Sequence, residues 1–226
     1  MTEPMVFLSA SIPTDMEYPD GDRHRATARP AMIRDVVLAV TRAALRSGTG
    51  LVFGAHPSIS PMILAVAREF RPPRPPIRVC VSAFFAGAYP AATLELADGK
   101  LGTLTEIPAA PVRGPDRARS LAVLRAEMLA TPGLVGGIFV GGMDGILDEF
   151  TAFWSRPGGR LPAYVFGQPG GAARDLFERP PVGVGEDDCC GAPAAPVPVS
   201  MLRDPVPGYT RVARAIFAAL AAVPAG

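Results

Sequence analysis

Cysteine is scarce, with three residues in a chain of 226. A disulfide-stapled secreted scaffold needs more, so the chain reads as a protein of a reducing compartment. Cys189 and Cys190 are adjacent, which suits neither an ordinary disulfide nor a metal motif, and they read as incidental loop thiols. No metal and no cofactor is expected. An excess of one charge is missing too: 22 Lys and Arg face 21 Asp and Glu, a net charge of +1. That argues against a nucleic-acid surface, although a local basic pocket remains open. No apolar run reaches the length of about 18 residues that a membrane span requires. The N-terminus carries Glu3 and no basic stretch of a signal peptide. A soluble, cytoplasmic protein is expected. Neither an internal repeat nor a P-loop is present. Hydrophobic residues make up 49%, enough for a sizeable core and too many for wholesale disorder. The length fits one domain over residues 1–226, at roughly 100–200 residues per domain. The 24 Gly and 26 Pro follow no collagen period and imply many loops.

Along the chain, short apolar runs alternate with helical stripes. Strands are expected at 5–10, 50–54, 77–82, 134–140 and 161–166. A charged loop should fill 11–29. Pro30 suits a helix start, and Ile33, Val36, Val37, Val40 and Ala44 share one face before Gly48 ends it. Further helices are expected at 57–71, 116–130, 145–154, 172–177 and, to close the chain, 207–223. Weak alternation over 93–108 suggests an edge hairpin, and Pro/Gly/Ala-rich 179–198 a mobile loop. Strands and helices in this order predict an α/β, Rossmann-like three-layer sandwich with a mostly parallel sheet. In such folds ligands sit beyond the C-terminal strand ends, near the reversal of strand order.

The residues after each strand are therefore the place to look. Ser9 and Ser11 leave the first strand, where small residues let a ligand approach and hydroxyls can bind it. Gly54, His56 and Ser58 follow the second; the glycine permits a tight turn, and Ser58 or Ser60 can cap a helix whose N–H groups favour an anion. Gly141, Gly142, Met143, Asp144 and Gly145 follow the 134–140 strand, and glycines at a strand–helix junction suit a phosphate. Asp148 and Glu149 sit one turn into that helix, where a carboxylate can act as acid, base or stabiliser of a sugar cation. The alternative is that acids in a first turn simply complement the helix dipole. Gly170 and Gly171 follow the 161–166 strand and could line the same cleft.

Taken in order, SASIP, GAHPSISP, LRAEM, FVGGMDGILDEF and FGQPGGAAR resemble the SLOG superfamily over residues 7–174. The resemblance is to its LOG and DprA-like Rossmannoid members, and above all to the branch found in bacterial conflict and defence systems. It implies a nucleotide or nucleotide-derived ligand. LOG enzymes carry a PGGxGTxxE motif. Here Val140 replaces the Pro, the third Gly falls one residue later, and Ile146 stands at the Thr position. Glu149 is then the counterpart of the family Glu, with Asp148 as the alternative. Arg125 in LRAEM matches the family's basic helix residue and would clamp phosphate.

The resemblance implies two functions. One is a nucleotide sensor in a defence or signalling system; in a chain of one domain it would pass its signal to a separate effector protein. The other is a LOG-like N-glycosidic (phosphoribo)hydrolase using Glu149 and Arg125. DprA-like binding of single-stranded DNA is disfavoured by the balanced charge. LOG-type relatives form homodimers, and Phe150, Phe153 and Trp154 would be costly to leave exposed together, so a homodimer is expected.

Overall fold

The computed structural model describes residues 2–13, 23–70, 76–98, 100–110, 116–204 and 208–222. The chain runs β1 (Met5–Ser11), α1 (Arg23–Thr27), α2 (Pro30–Ser47), β2 (Gly50–Gly54), α3 (Ser60–Phe70) and β3 (Ile77–Ser82). It continues through α4 (Ala91–Asp98), β4 (Thr103–Ile107), α5 (Arg117–Leu129), β5 (Leu134–Gly141), α6 (Asp144–Trp154) and β6 (Ala163–Phe166). The last helices are α7 (Ala172–Glu178), α8 (Ser200–Arg203) and α9 (Tyr209–Ala221). The six strands form one sheet in the order β4-β3-β2-β1-β5-β6, and every strand pair is parallel.

The chain thus walks outward from β1 to β4, then returns past β1 to β5 and β6. Right-handed crossovers put the helices of the two walks on opposite faces. Accordingly α2 packs against α3 and α9, and α3 against α4, while α6 packs between α5 and α7. The α/β Rossmann-like architecture is as expected. The reversal of strand order falls between β1 and β5, where adjacent loops leave in opposite directions and open a crevice.

Buried strands read as near-continuous apolar runs because helices cover both faces. Val6, Phe7 and Leu8 of β1 and Leu51, Val52 and Phe53 of β2 are all in the core. Beneath α6, four phenylalanines interlock. Phe139 meets Phe150 at 5.1 Å and Phe153 at 5.5 Å between ring centres, and Phe153 stacks on Phe7 at 6.1 Å. The helix can lie this low because β5 lacks a side chain at Gly137. A Cβ there would stand 2.8 Å from the Phe153 ring.

Three expectations change. Residues 93–108 form no hairpin: α4 precedes β4, which pairs parallel to β3 at the sheet edge. Thr93 and Leu96, three residues apart, are the buried side of α4, and only 103–107 has strand character. The loop expected at 11–29 contains α1, while residues 14–22 lie outside the described set. Finally, Phe150 and Phe153 are buried in the core, and Trp154 stacks on Phe150 under the Arg160 guanidinium. They form no exposed apolar patch, which removes that reason for a homodimer.

Residues 179–198 lie against β6. Cys190 makes an antiparallel bridge to Tyr164, the Gly191 N–H donates to the Ala163 carbonyl at 2.9 Å, and the buried Tyr164 hydroxyl donates to the Ala195 carbonyl at 2.7 Å. No helix among the described residues is long and apolar enough to cross a membrane.

Removing the Phe153 ring should cost about 3–5 kcal/mol, the usual range for emptying a large aromatic site. Urea unfolding of Phe153→Ala should show this. Val182→Ala, at a fully exposed side chain, should stay within about 0.5 kcal/mol of the parent.

Candidate functional site

The turn from β5 into α6 is built from close backbone contacts. Ser11 pairs with Gly141, and the Gly142 N–H donates to the Ser11 carbonyl at 2.8 Å. Gly141 and Gly142 have φ of 64° and 69°, in the left-handed region that favours glycine. The turn after β6 nests upon this one. The Ala172 N–H donates to the Gly142 carbonyl at 2.9 Å, and a Cβ on Gly171 would stand 2.7 Å from the Gly141 carbonyl carbon. The Gly171 N–H also reaches the Thr27 hydroxyl at the end of α1, at 3.2 Å. Gly170 and Gly171 therefore brace the turn from behind.

In front of it opens a cleft of about 330 Å³, over the C-terminal ends of β1, β2 and β3 and between α5 and α6. Phe85, Pro90, Leu121, Leu124, Met143 and Ile146 make its walls apolar. Ser11, Gly54, His56, Gly145, Arg125 and Glu149, all singled out in the sequence, line it. Ser82, Tyr89 and Arg117 complete the polar lining and were not singled out. Arg117 was legible in principle: Arg117, Leu121, Leu124 and Arg125 stand at i, i+4, i+7 and i+8, one face of a helix. The tyrosine hydroxyl donates to Glu106 at 2.7 Å, and burial with that carboxylate pushes its pKa up to about 12.

Glu149 is the most constrained group in the cleft. The buried Ser9 hydroxyl donates to its Oε2 at 2.5 Å. Burial is the main influence on the carboxyl and raises its pKa; the Ser9 hydrogen bond and the nearby Arg125 oppose this, and Asp148 adds to it. The side chain is still 23% exposed, so a ligand can reach it. Arg125 lies 4.0 Å from Glu149 through Nε and 3.2 Å from Asp148 through Nη2. Its Nε is buried and has no hydrogen-bond partner among the described residues. A carboxyl with raised pKa beside a guanidinium can hold or move a proton, or face a developing positive charge.

His56 is oriented by its own loop. The Ser58 N–H donates to Nδ1 at 3.2 Å, and the Ser58 hydroxyl lies 2.8 Å from the same nitrogen. That hydroxyl also accepts the Ile12 N–H at 3.1 Å, tying the exit of β1 to the exit of β2. An accepting Nδ1 leaves the proton of a neutral ring on Nε2. Ser58 thus acts behind the cleft wall.

Asp144 and Asp148 point largely to solvent, with side chains 76% and 63% exposed. Asp144 meets the second histidine, His24 of α1, at 3.1 Å. His24 is buried and also lies 3.2 Å from Asp175, a carboxylate further held by Arg23 and Arg179. This tie between α1, α6 and α7 was not foreseen, because a five-residue helix carries no readable stripe. Among the described residues no group of three or more His, Cys, Asp or Glu is placed to hold a metal. Cys189 and Cys190 are free and buried, and burial pushes both thiols up to about 12, which leaves them poor nucleophiles.

Compared with known families, the chain matches the model of the SLOG cluster3 family over residues 23–188. The matched span takes in His56, Arg117, Arg125 and Glu149 and begins after Ser9 and Ser11. No curated protein and no solved structure matches the chain.

Two outcomes follow from this geometry. Gly171→Ala presses a methyl group into the Gly141–Gly142 backbone, whereas Gly158→Ala, with φ of 94°, meets nothing within 4 Å. The second should cost about 1–2 kcal/mol for its left-handed backbone, and the first at least about 2 kcal/mol more, read from denaturant midpoints. Glu149→Gln should show a pH-dependent gain. Burial makes the folded state hold a proton that the unfolded chain releases. The stability this group contributes is complete below the ordinary carboxylate range and is lost as pH rises through its raised pKa. A glutamine never ionises, so the variant should melt higher than the parent at pH 7–8, the gap closing towards about pH 4. A Gln variant that falls further behind as pH rises would reverse the assignment.

Proposed function

The chain belongs to the SLOG cluster3 family, and from that premise we propose that its cleft binds a nucleotide or nucleotide-derived small molecule. The observation that carries this reading is one arrangement. An apolar-walled cleft of about 330 Å³ lies at the strand-order reversal and has Glu149 and Arg125 on its wall, with the buried Ser9 hydroxyl holding Glu149 from behind. The volume is at the small end of ligand sites, roughly 300–1,000 Å³. Phe85, Leu121 and Leu124 offer a surface for a base, and the polar groups offer contacts for a sugar and an anion. The resemblance to the conflict-system branch supports a sensor role in a bacterial defence system, passing its signal to a separate effector. The LOG resemblance supports a homodimer.

A second reading, hydrolysis of an N-glycosidic bond, is favoured by the Ser9–Glu149 hydrogen bond. Water would add to the anomeric carbon as the bond to the base breaks. Glu149 would stabilise the oxocarbenium-like sugar, take a proton from the water and return it to the departing base.

A thermal-shift screen of nucleotides tests binding, since a ligand held only by the folded state raises Tm. At least one nucleotide should do so; a flat panel would sink the proposal. Release of free base from AMP, IMP, a cytokinin monophosphate, NAD or ADP-ribose then separates the readings. In a hydrolase, Glu149→Gln should bind almost normally and lose about 10²–10⁴-fold in kcat. Binding without release favours the sensor. Release that Glu149→Gln leaves unchanged removes the role given to Glu149.

A further inference from the structure

We infer that Arg117, at the mouth of the cleft, recognises the anionic group of the ligand, and that Arg125 is a positioning residue for Glu149. The inference rests on the nucleotide reading above and deepens it. Both arginines line the cleft, on one face of α5 and eight residues apart. At 1.5 Å per residue they leave the helix about 12 Å apart along its axis.

Their electrostatic surroundings differ. Arg125 is 14% exposed and already stands between Asp148 and Glu149. An anion arriving there would have to compete with Asp148 and Glu149 for one guanidinium. Arg117 is exposed and has no carboxylate within ion-pair distance among the described residues. The acid next to it in sequence, Asp116, is engaged by the Arg119 N–H at 3.2 Å and by Arg119 Nε at 3.5 Å. Glu106, next to the lining residue Tyr89, accepts the tyrosine hydroxyl.

The ligand is then oriented with its phosphate outward, at Arg117, and its sugar inward, over Glu149. Leu121 and Leu124 lie between the two arginines on the same helix face and give that side of the cleft an apolar wall. Arg125 keeps the Glu149 carboxyl turned into the cleft, opposite the oxygen that takes the Ser9 hydroxyl.

The test pairs each 5′-monophosphate with its nucleoside: AMP with adenosine, GMP with guanosine, CMP with cytidine and UMP with uridine. Affinities are measured by calorimetry at low and high salt. The parent should prefer the nucleotide, and added salt should erode that preference. Arg117→Ala should lower nucleotide affinity about tenfold, leave the nucleoside unchanged and remove the salt dependence. Arg125→Ala should weaken nucleotide and nucleoside by the same factor, and Arg125→Lys should restore most of it. A nucleotide preference that survives Arg117→Ala overturns the inference. So does one lost in Arg125→Ala while nucleoside affinity is kept. If no nucleotide and no nucleoside binds the parent, the reading of the cleft falls and this assignment with it.

Discussion

The position of α6 depends on a missing side chain in β5. Gly137 leaves a gap, Phe153 fills it, and the ring comes to rest on Phe7 and Phe139. Ile146, Phe150 and Phe153 form the buried stripe of the helix, and Glu149 stands at its border. That border is where Ser9 of β1 comes within hydrogen-bond range. A bulkier residue at 137 would lift the helix and part the two. The aromatic cluster therefore sets the distance between a hydroxyl and a carboxyl that lie 140 residues apart in sequence.

The glycine turns do the same for the other end of α6. The turns after β5 and β6 interlock through backbone alone, and α1 is fastened behind them through Thr27 and His24. The cleft in front is thus bounded on the α6 side by groups with little freedom to shift. Burial raises the pKa of Glu149 there, so its ionised form is disfavoured until something compensates it. Such groups are characteristic of sites where a ligand or a reacting atom supplies the compensation.

Much of this was legible in the sequence. Five strands and the principal helices announced themselves by apolar runs and by stripes such as Ile33, Val36, Val37 and Val40 on α2. Parallel order followed from their alternation. Residues that leave strand ends were legible for the same reason, since topology alone brings Ser11, Gly54 and Gly145 to one cleft. What was not legible depends on contacts distant in sequence. The α4–β4 unit looked like a hairpin because an eight-residue helix shows two buried positions, too few to fix a period. Phe150 and Phe153 looked exposed because nothing local announces the gap at Gly137. His24 is buried by carboxylates 120 and 151 positions further on. Arg117 stands on one helix face with Leu121, Leu124 and Arg125, but an exposed first residue of a helix gives no local sign that it borders a cleft.

The segment that follows α7 also decides how the sheet can grow. β6 is a terminal strand, and an unpaired strand edge is a template on which another chain can polymerise. Here Cys190 and Gly191 occupy part of that edge, and Tyr164 anchors them through Ala195. A foreign strand would have to displace this contact before it could add. Self-association by sheet extension is thereby obstructed at the β6 side, which directs any assembly of copies towards the helical layers or the opposite margin at β4.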